Sequence, residues 1–220
     1  MNKKEKITKN LESIAEKIRL SFSARDAARE KALRLCREII RHSANAIRIV
    51  HRREYAEAKQ LLQSASALIQ ELNQAITNNQ KDLLYAGFIH DAQKEFAEAS
   101  VTLSIINSEL LPSPEKLQIS YPAYLNGIGE ATGELRRYLL DSLRQNDFSR
   151  CEELLSTMDD IYAILVTMDF PDAVTYGLRR TTDNVRGILE KTRGDLTLAL
   201  RQKELEEKLK STTKKKRSLS

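Results

Sequence analysis

Tryptophan is absent from the 220 residues, and aromatic side chains make up only 5% of them. Glycine occurs seven times and proline four times. A sheet protein needs turn residues between strands rich in β-branched and aromatic side chains. Neither supply is adequate here, so a sheet architecture is excluded. No apolar run reaches 18 residues, so no membrane-spanning helix is expected. The N-terminal stretch MNKKEKITKNLESIAEKI is charged and amphipathic and lacks the apolar core of a signal peptide. Two cysteines, Cys36 and Cys151, cannot form a disulfide framework; reduced, structural thiols in a cytoplasmic protein are expected. The three histidines are His42, His51 and His90, and none follows a glutamate by three positions. That spacing excludes the Glu-x-x-His pairs of a ferritin-like di-iron centre. There is no CxxC motif and no glycine-rich phosphate loop.

What is abundant is Ala, Leu, Glu, Lys, Arg and Gln, the strong helix formers. With 41% hydrophobic residues the chain can bury a core. An all-α, single-domain bundle of six to seven helices is therefore predicted. Apolar positions at helical spacing (Ile7, Leu11, Ile14, Ile18, then Leu33, Cys36, Ile40, Ala44, Ile47) place one very long helix over about 5–50, or two with a break near SFSARD. Further helices are expected over about 54–77, 81–110, 121–145, 149–168 and 172–209. LLPSPEKLQISYP holds three of the four prolines and reads as a loop. Asp147 or Ser149 is the expected cap of the fifth helix. The helical domain spans 1–210, and 211–220 is expected to be a disordered basic tail.

Charge is unevenly placed. Residues 1–53 carry 15 Lys/Arg against 6 Asp/Glu, although the whole chain is only +5. A basic N-terminal third beside an acidic body suggests a polyanion, nucleic acid first; it equally suits basic residues that solvate a long helix. HRRE, with His51, Arg52 and Arg53, is a compact basic cluster at a helix end. It can meet phosphates or the negative end of the helix dipole.

Two acidic stretches share a pattern. On the third helix Tyr85, Ile89, Ala92, Phe96, Ala99, Leu103, Ile106 and Leu110 form an apolar stripe. Glu95 and Glu98 each precede a stripe residue, which sets them about 100° round, on the stripe's shoulder. On the fourth helix the stripe is Tyr124, Ile128, Ala131, Leu135 and Tyr138, and Glu130 and Glu134 occupy the same shoulder. Counted from the loop at 111–120, the pairs lie 13–16 residues before it and 10–14 after it. If the helices are antiparallel neighbours, the pairs come level. Four converging carboxylates repel unless a cation intervenes, and hard oxygen donors suit Mg²⁺ or Mn²⁺. The other reading is a solvated surface pair on each helix, part-neutralised by Lys94 and Arg137.

HDAQKEFAEA, GIGEATGELRRYLLDSLRQND and FPDAVTYGLRRTTDNVRGILEKTRGDLTLAL resemble the translin family over roughly residues 25–201. The first two look more like its translin-associated factor X branch than like translin itself. The resemblance implies a seven-helix fold that forms dimers and hollow octamers and binds single-stranded RNA and DNA. For the factor X branch it implies a metal-dependent endoribonuclease whose catalytic carboxylates fall on Glu95, Glu98, Glu130 and Glu134. Glu130 departs from that pattern, which has Asp there. The resemblance also carries nucleic-acid contact over to His90. Arg41, Arg52 and Arg53 are further candidates to hold phosphates. The rival expectation is a non-catalytic single-stranded RNA or DNA binder of the translin type.

Overall fold

The computed structural model describes residues 3–76 and 86–217. Among these residues the chain is all helical, with six long helices and two single turns. The long helices are α1 (Lys3–His51), α2 (Tyr55–Ala75), α3 (Gly87–Ile106), α5 (Tyr121–Arg144), α6 (Cys151–Val166) and α8 (Leu178–Arg217). The short ones are α4 (Pro114–Leu117), inside the proline-rich loop, and α7 (Asp172–Thr175). The expected apolar stripe of α3 is buried from Ile89 to Ile106, with Phe96 among the most enclosed side chains; on α5 Ile128, Ala131 and Leu135 are buried and joined by Leu139, while Tyr124 and Tyr138 are half-buried. Tyr85 lies outside the described residues. Leu110 falls beyond the end of α3 and is 97% exposed, so it is not part of the core.

Helix α1 is unbroken; SFSARD contains neither Gly nor Pro and does not interrupt it. Its C-terminal half packs through Ala32, Leu35, Cys36, Ile39, Ala46 and Val50. The earlier stripe of Ile7, Leu11, Ile14 and Ile18 is not core: these side chains are 46–64% exposed. They project past the body of the bundle. The helix expected from 172 is split. Tyr176 and Gly177 both take positive φ, 53° and 79°, which ends α7 before α8 begins. Helix α8 then continues to Arg217, well into the segment expected to be disordered.

Caps follow local chemistry. Ser113 and Ser120 accept the Lys116 and Ala123 N–H groups, each with a proline in the first turn that follows. The expected cap of α6 is not formed. Asp147 instead accepts from the Ser149 N–H and hydroxyl at 3.1 and 2.6 Å, closing a turn ahead of the helix. Arg150 stands at the N-cap position of α6 and sends its guanidinium to the Ile105 and Ile106 carbonyls, satisfying the C-terminal end of α3.

Direction is where the structure departs most from expectation. Ser120, at the start of α5, donates its N–H to Gln93 near the start of α3. Arg150, just past α5, reaches the end of α3. Helices α3 and α5 are thus parallel, not antiparallel; the connection 107–120 runs back along α3 before α5 sets out. Helix α8 runs the same way: Thr181 bonds Asn126, and Arg136 reaches Thr192 and Asp195. Helices α2 and α6 return, as the Lys31–Glu71 and Arg193–Asp159 pairs show.

Close approach of α3 and α5 depends on Gly127. A Cβ there would lie 2.5 Å from Ala97 Cβ, 2.7 Å from the Lys94 carbonyl oxygen and 3.0 Å from the Glu98 nitrogen. Two of these are backbone atoms and cannot turn aside. Gly127→Ala is expected to lose about 1–3 kcal/mol in urea unfolding, because overpacking forces the helices apart. An unchanged midpoint would show that the contact gives without cost.

Candidate metal centre

The parallel pairing brings Glu95 and Glu98 of α3 against Glu130 of α5. One carboxylate oxygen from each lies within 4.8 Å of the other two. Lys94 donates to Glu130 at 2.7 Å and stands 4.0 Å from Glu95. Among the described residues Glu98 makes no ion pair. Its carboxyl is pushed up to about 8, first by burial and then by the fields of Glu95, Glu130 and Glu134. Glu95 is raised too, by burial ahead of its acidic neighbours, despite Lys94. Burial pulls Lys94 down, but its bond to Glu130 and the surrounding acidic fields outweigh this, leaving its ammonium raised.

Glu134 stands beside this trio without being part of it. It accepts from His51 Nε2–H at 2.5 Å and lies 3.8 Å from Arg137. His51 is buried, its side chain only 5% exposed, and its Nδ1 has no hydrogen-bond partner. The sequence leaves this imidazole open to phosphates or to the helix dipole; in the structure it meets Glu134. Nothing in the sequence signals a pair 83 residues apart. His51→Ala leaves Glu134 half-buried beside Glu98 without its donor. It is expected to cost about 1–3 kcal/mol of stability, measurable by chemical denaturation.

The candidate phosphate contacts divide. Arg53, at φ 65° just past α1, lies 5.9 Å over the Tyr138 ring, one turn beyond Glu134; Arg52 is exposed beside it. Arg41 pairs with Glu38 on the exposed side of α1. His90 lies on the opposite flank, next to Lys94. It is buried and stacks on Tyr176 with ring centroids 4.5 Å apart. Burial lowers its imidazole below the usual range. Both cysteines are buried free thiols, and desolvation pushes Cys36 up to about 12, so it is unreactive near neutral pH.

Three carboxylates, one without an ion-pair partner among the described residues, form a hard oxygen donor set able to hold a metal ion. The chain is thus an all-α bundle with an acidic cluster at the seam between the parallel helices α3 and α5. The chain belongs to the translin family, whose model matches residues 1–192. It is similar to an uncharacterized protein of Methanocaldococcus jannaschii, 34% identical over 188 residues, 84% of this chain and 82% of that one. The structure of AfC3PO with duplex RNA matches with a TM-score of 0.79 at 33% identity, over 86% of this chain and 97% of that one. Apo-NeC3PO, at 19% identity over 86% and 97% and a TM-score of 0.70, shares the fold. No described helix is long and apolar enough to cross a membrane.

Proposed function

We propose that this protein is a Mg²⁺- or Mn²⁺-dependent endoribonuclease acting on single-stranded RNA, of the kind its resemblance to the factor X branch implies. One observation carries the reading: Glu98 is a half-buried carboxylate with no ion-pair partner among the described residues, pressed against Glu95 and Glu130. An uncompensated buried charge is costly, and a divalent cation removes the cost. Glu95, Glu98 and Glu130 would hold the ion. When bound, it supplies Lewis-acid polarisation of a phosphodiester and activation of water. Glu134, held by His51, would accept the proton of the attacking water. Lys94 offsets part of the charge of Glu130 and Glu95 in the ion's absence and would offset that of a bound phosphate. Arg41, Arg52, Arg53 and His90 would hold neighbouring phosphates. A relative solved with duplex RNA supports RNA as the partner class.

The exposed apolar face of α1 supports assembly into homo-oligomers, from dimer to octamer. Buried free thiols suit a cytoplasmic setting. The Lys94–Glu130 bond favours the second reading, in which the carboxylates are structural and the protein binds single-stranded RNA or DNA without cutting it. Incubating the protein with an end-labelled single-stranded RNA and Mn²⁺ separates the two. Internal cleavage that EDTA abolishes supports the nuclease; salt-sensitive binding with intact RNA under either ion supports the binder.

A further inference from the structure

Beside the carboxylate trio lies a second polar cavity of about 470 Å³, between α3, α5 and the first turns of α8. Its walls include His90, Lys94, Glu130, Tyr176, Arg180 and Asn184. A smaller space of about 230 Å³ joins it to the trio, since Glu98, Glu130, Thr181 and Asn184 line that space as well. Several polar groups here have no work in the fold. Arg180 makes no ion pair and Asn184 no side-chain hydrogen bond among the described residues, although they stand one turn apart on α8. Asn126, by contrast, is fully engaged with Pro122, Thr175 and Thr181. His90 is 8% exposed, yet its Nδ1 has no partner. Tyr176, stacked on His90 and 37% exposed, stands at the mouth with a left-handed backbone.

We propose that this cavity is a nucleotide subsite for the residue of single-stranded RNA next to the scissile phosphate. Arg180, at the N-terminal turn of α8, takes that nucleotide's phosphate; Tyr176 offers its ring to the base; Asn184 bonds the ribose or base edge. The subsite rests on the proposed nuclease reading for its place beside the reacting bond, but its ligand contacts are testable without cleavage.

The test uses a fluorescein-labelled single-stranded oligoribonucleotide, with anisotropy in EDTA and single-turnover cleavage in Mn²⁺. Arg180→Ala is expected to weaken binding about 10-fold, with Arg180→Lys between the two. In Mn²⁺ the half-saturating protein concentration rises by a similar factor, while the maximal rate changes less. The control is Arg179→Ala, which removes the same charge from the adjacent residue, on the cavity between α6 and α8. It is expected to stay within about 2-fold of wild type. Arg180 is exposed, so loss of fold does not confuse the result. Wild-type binding by Arg180→Ala, or equal weakening by Arg179→Ala, overturns the subsite. If no variant nor the wild type cuts RNA but the binding pattern holds, the subsite stands and the nuclease reading falls. If Glu98→Ala abolishes cleavage while Arg180→Ala changes nothing, the nuclease stands and the subsite falls.

Discussion

In a Glu98→Ala variant, Mn²⁺-dependent cleavage of single-stranded RNA is expected to fall about 100-fold or more, and in Glu95→Ala/Glu98→Ala to reach background. Altering even outer-shell partners of a metal costs about 10- to 100-fold, and Glu98 is placed as a direct ligand. The loss cannot be read as unfolding. Removing Glu98 takes away a carboxyl that burial and three acidic neighbours already disfavour in its charged form. Helical circular dichroism should be unchanged and thermal stability without metal should rise. The same substitution would therefore stabilise the fold and abolish the activity, the signature expected of a site strained for function. Full activity in the double variant would sink the metal-centre reading.

The second large effect is on stability as pH changes. The Glu98 carboxyl titrates near 4.5 ordinarily and at about 8 in the folded chain. Between these values the folded state holds a proton that the unfolded state has released, so this group's contribution declines as pH rises. It is fully present below pH 4.5 and lost by about pH 8. One pKa unit corresponds to about 1.4 kcal/mol, and 1 kcal/mol moves Tm by about 2–4 °C at this chain length. The metal-free Tm of wild type, relative to Glu98→Gln, is thus expected to drop by about 5 °C or more from pH 5 to pH 8. Taking the difference between variants cancels the other titrating groups. Mn²⁺ should recover the loss at pH 8 and do little at pH 5, because ligation requires the carboxylate. Glu98→Gln should not respond to Mn²⁺ at either pH. Parallel wild-type and Glu98→Gln profiles would mean that Glu98 is not desolvated as described.

Much of the candidate site was legible because it is written in helical periodicity. Glu95, Glu98 and Glu130 were found from their offset to the α3 and α5 stripes, whose central residues are buried as the spacing required. The offset also put Glu134 on the same shoulder, but a shoulder position states only a direction. Which neighbour the side chain meets depends on what packs there, and α1 delivers His51 to it. The basic run HRRE divides for the same reason: its histidine meets Glu134, while Arg52 and Arg53 stay exposed. Gly127 was also missed. A glycine mid-helix announces flexibility or close packing alike, and only the approach of α3 shows which.

The sequence by itself determined the all-helical class, the six long helices, the apolar stripes and the carboxylate candidates. Each of these is a property of residues a few positions apart, read out by a fixed 3.6-residue period. Tertiary structure alone decided that α3 and α5 run parallel, that three glutamates and not four converge, that His51 holds the fourth, and that the first turns of α8 stand beside the site. Those depend on the path of the 107–120 connection and on contacts between residues up to 83 positions apart. Local pattern carries no record of such contacts. The level carboxylate pairs illustrate this: the expected antiparallel hairpin and the observed parallel return both align them, and only the packed chain distinguishes the two.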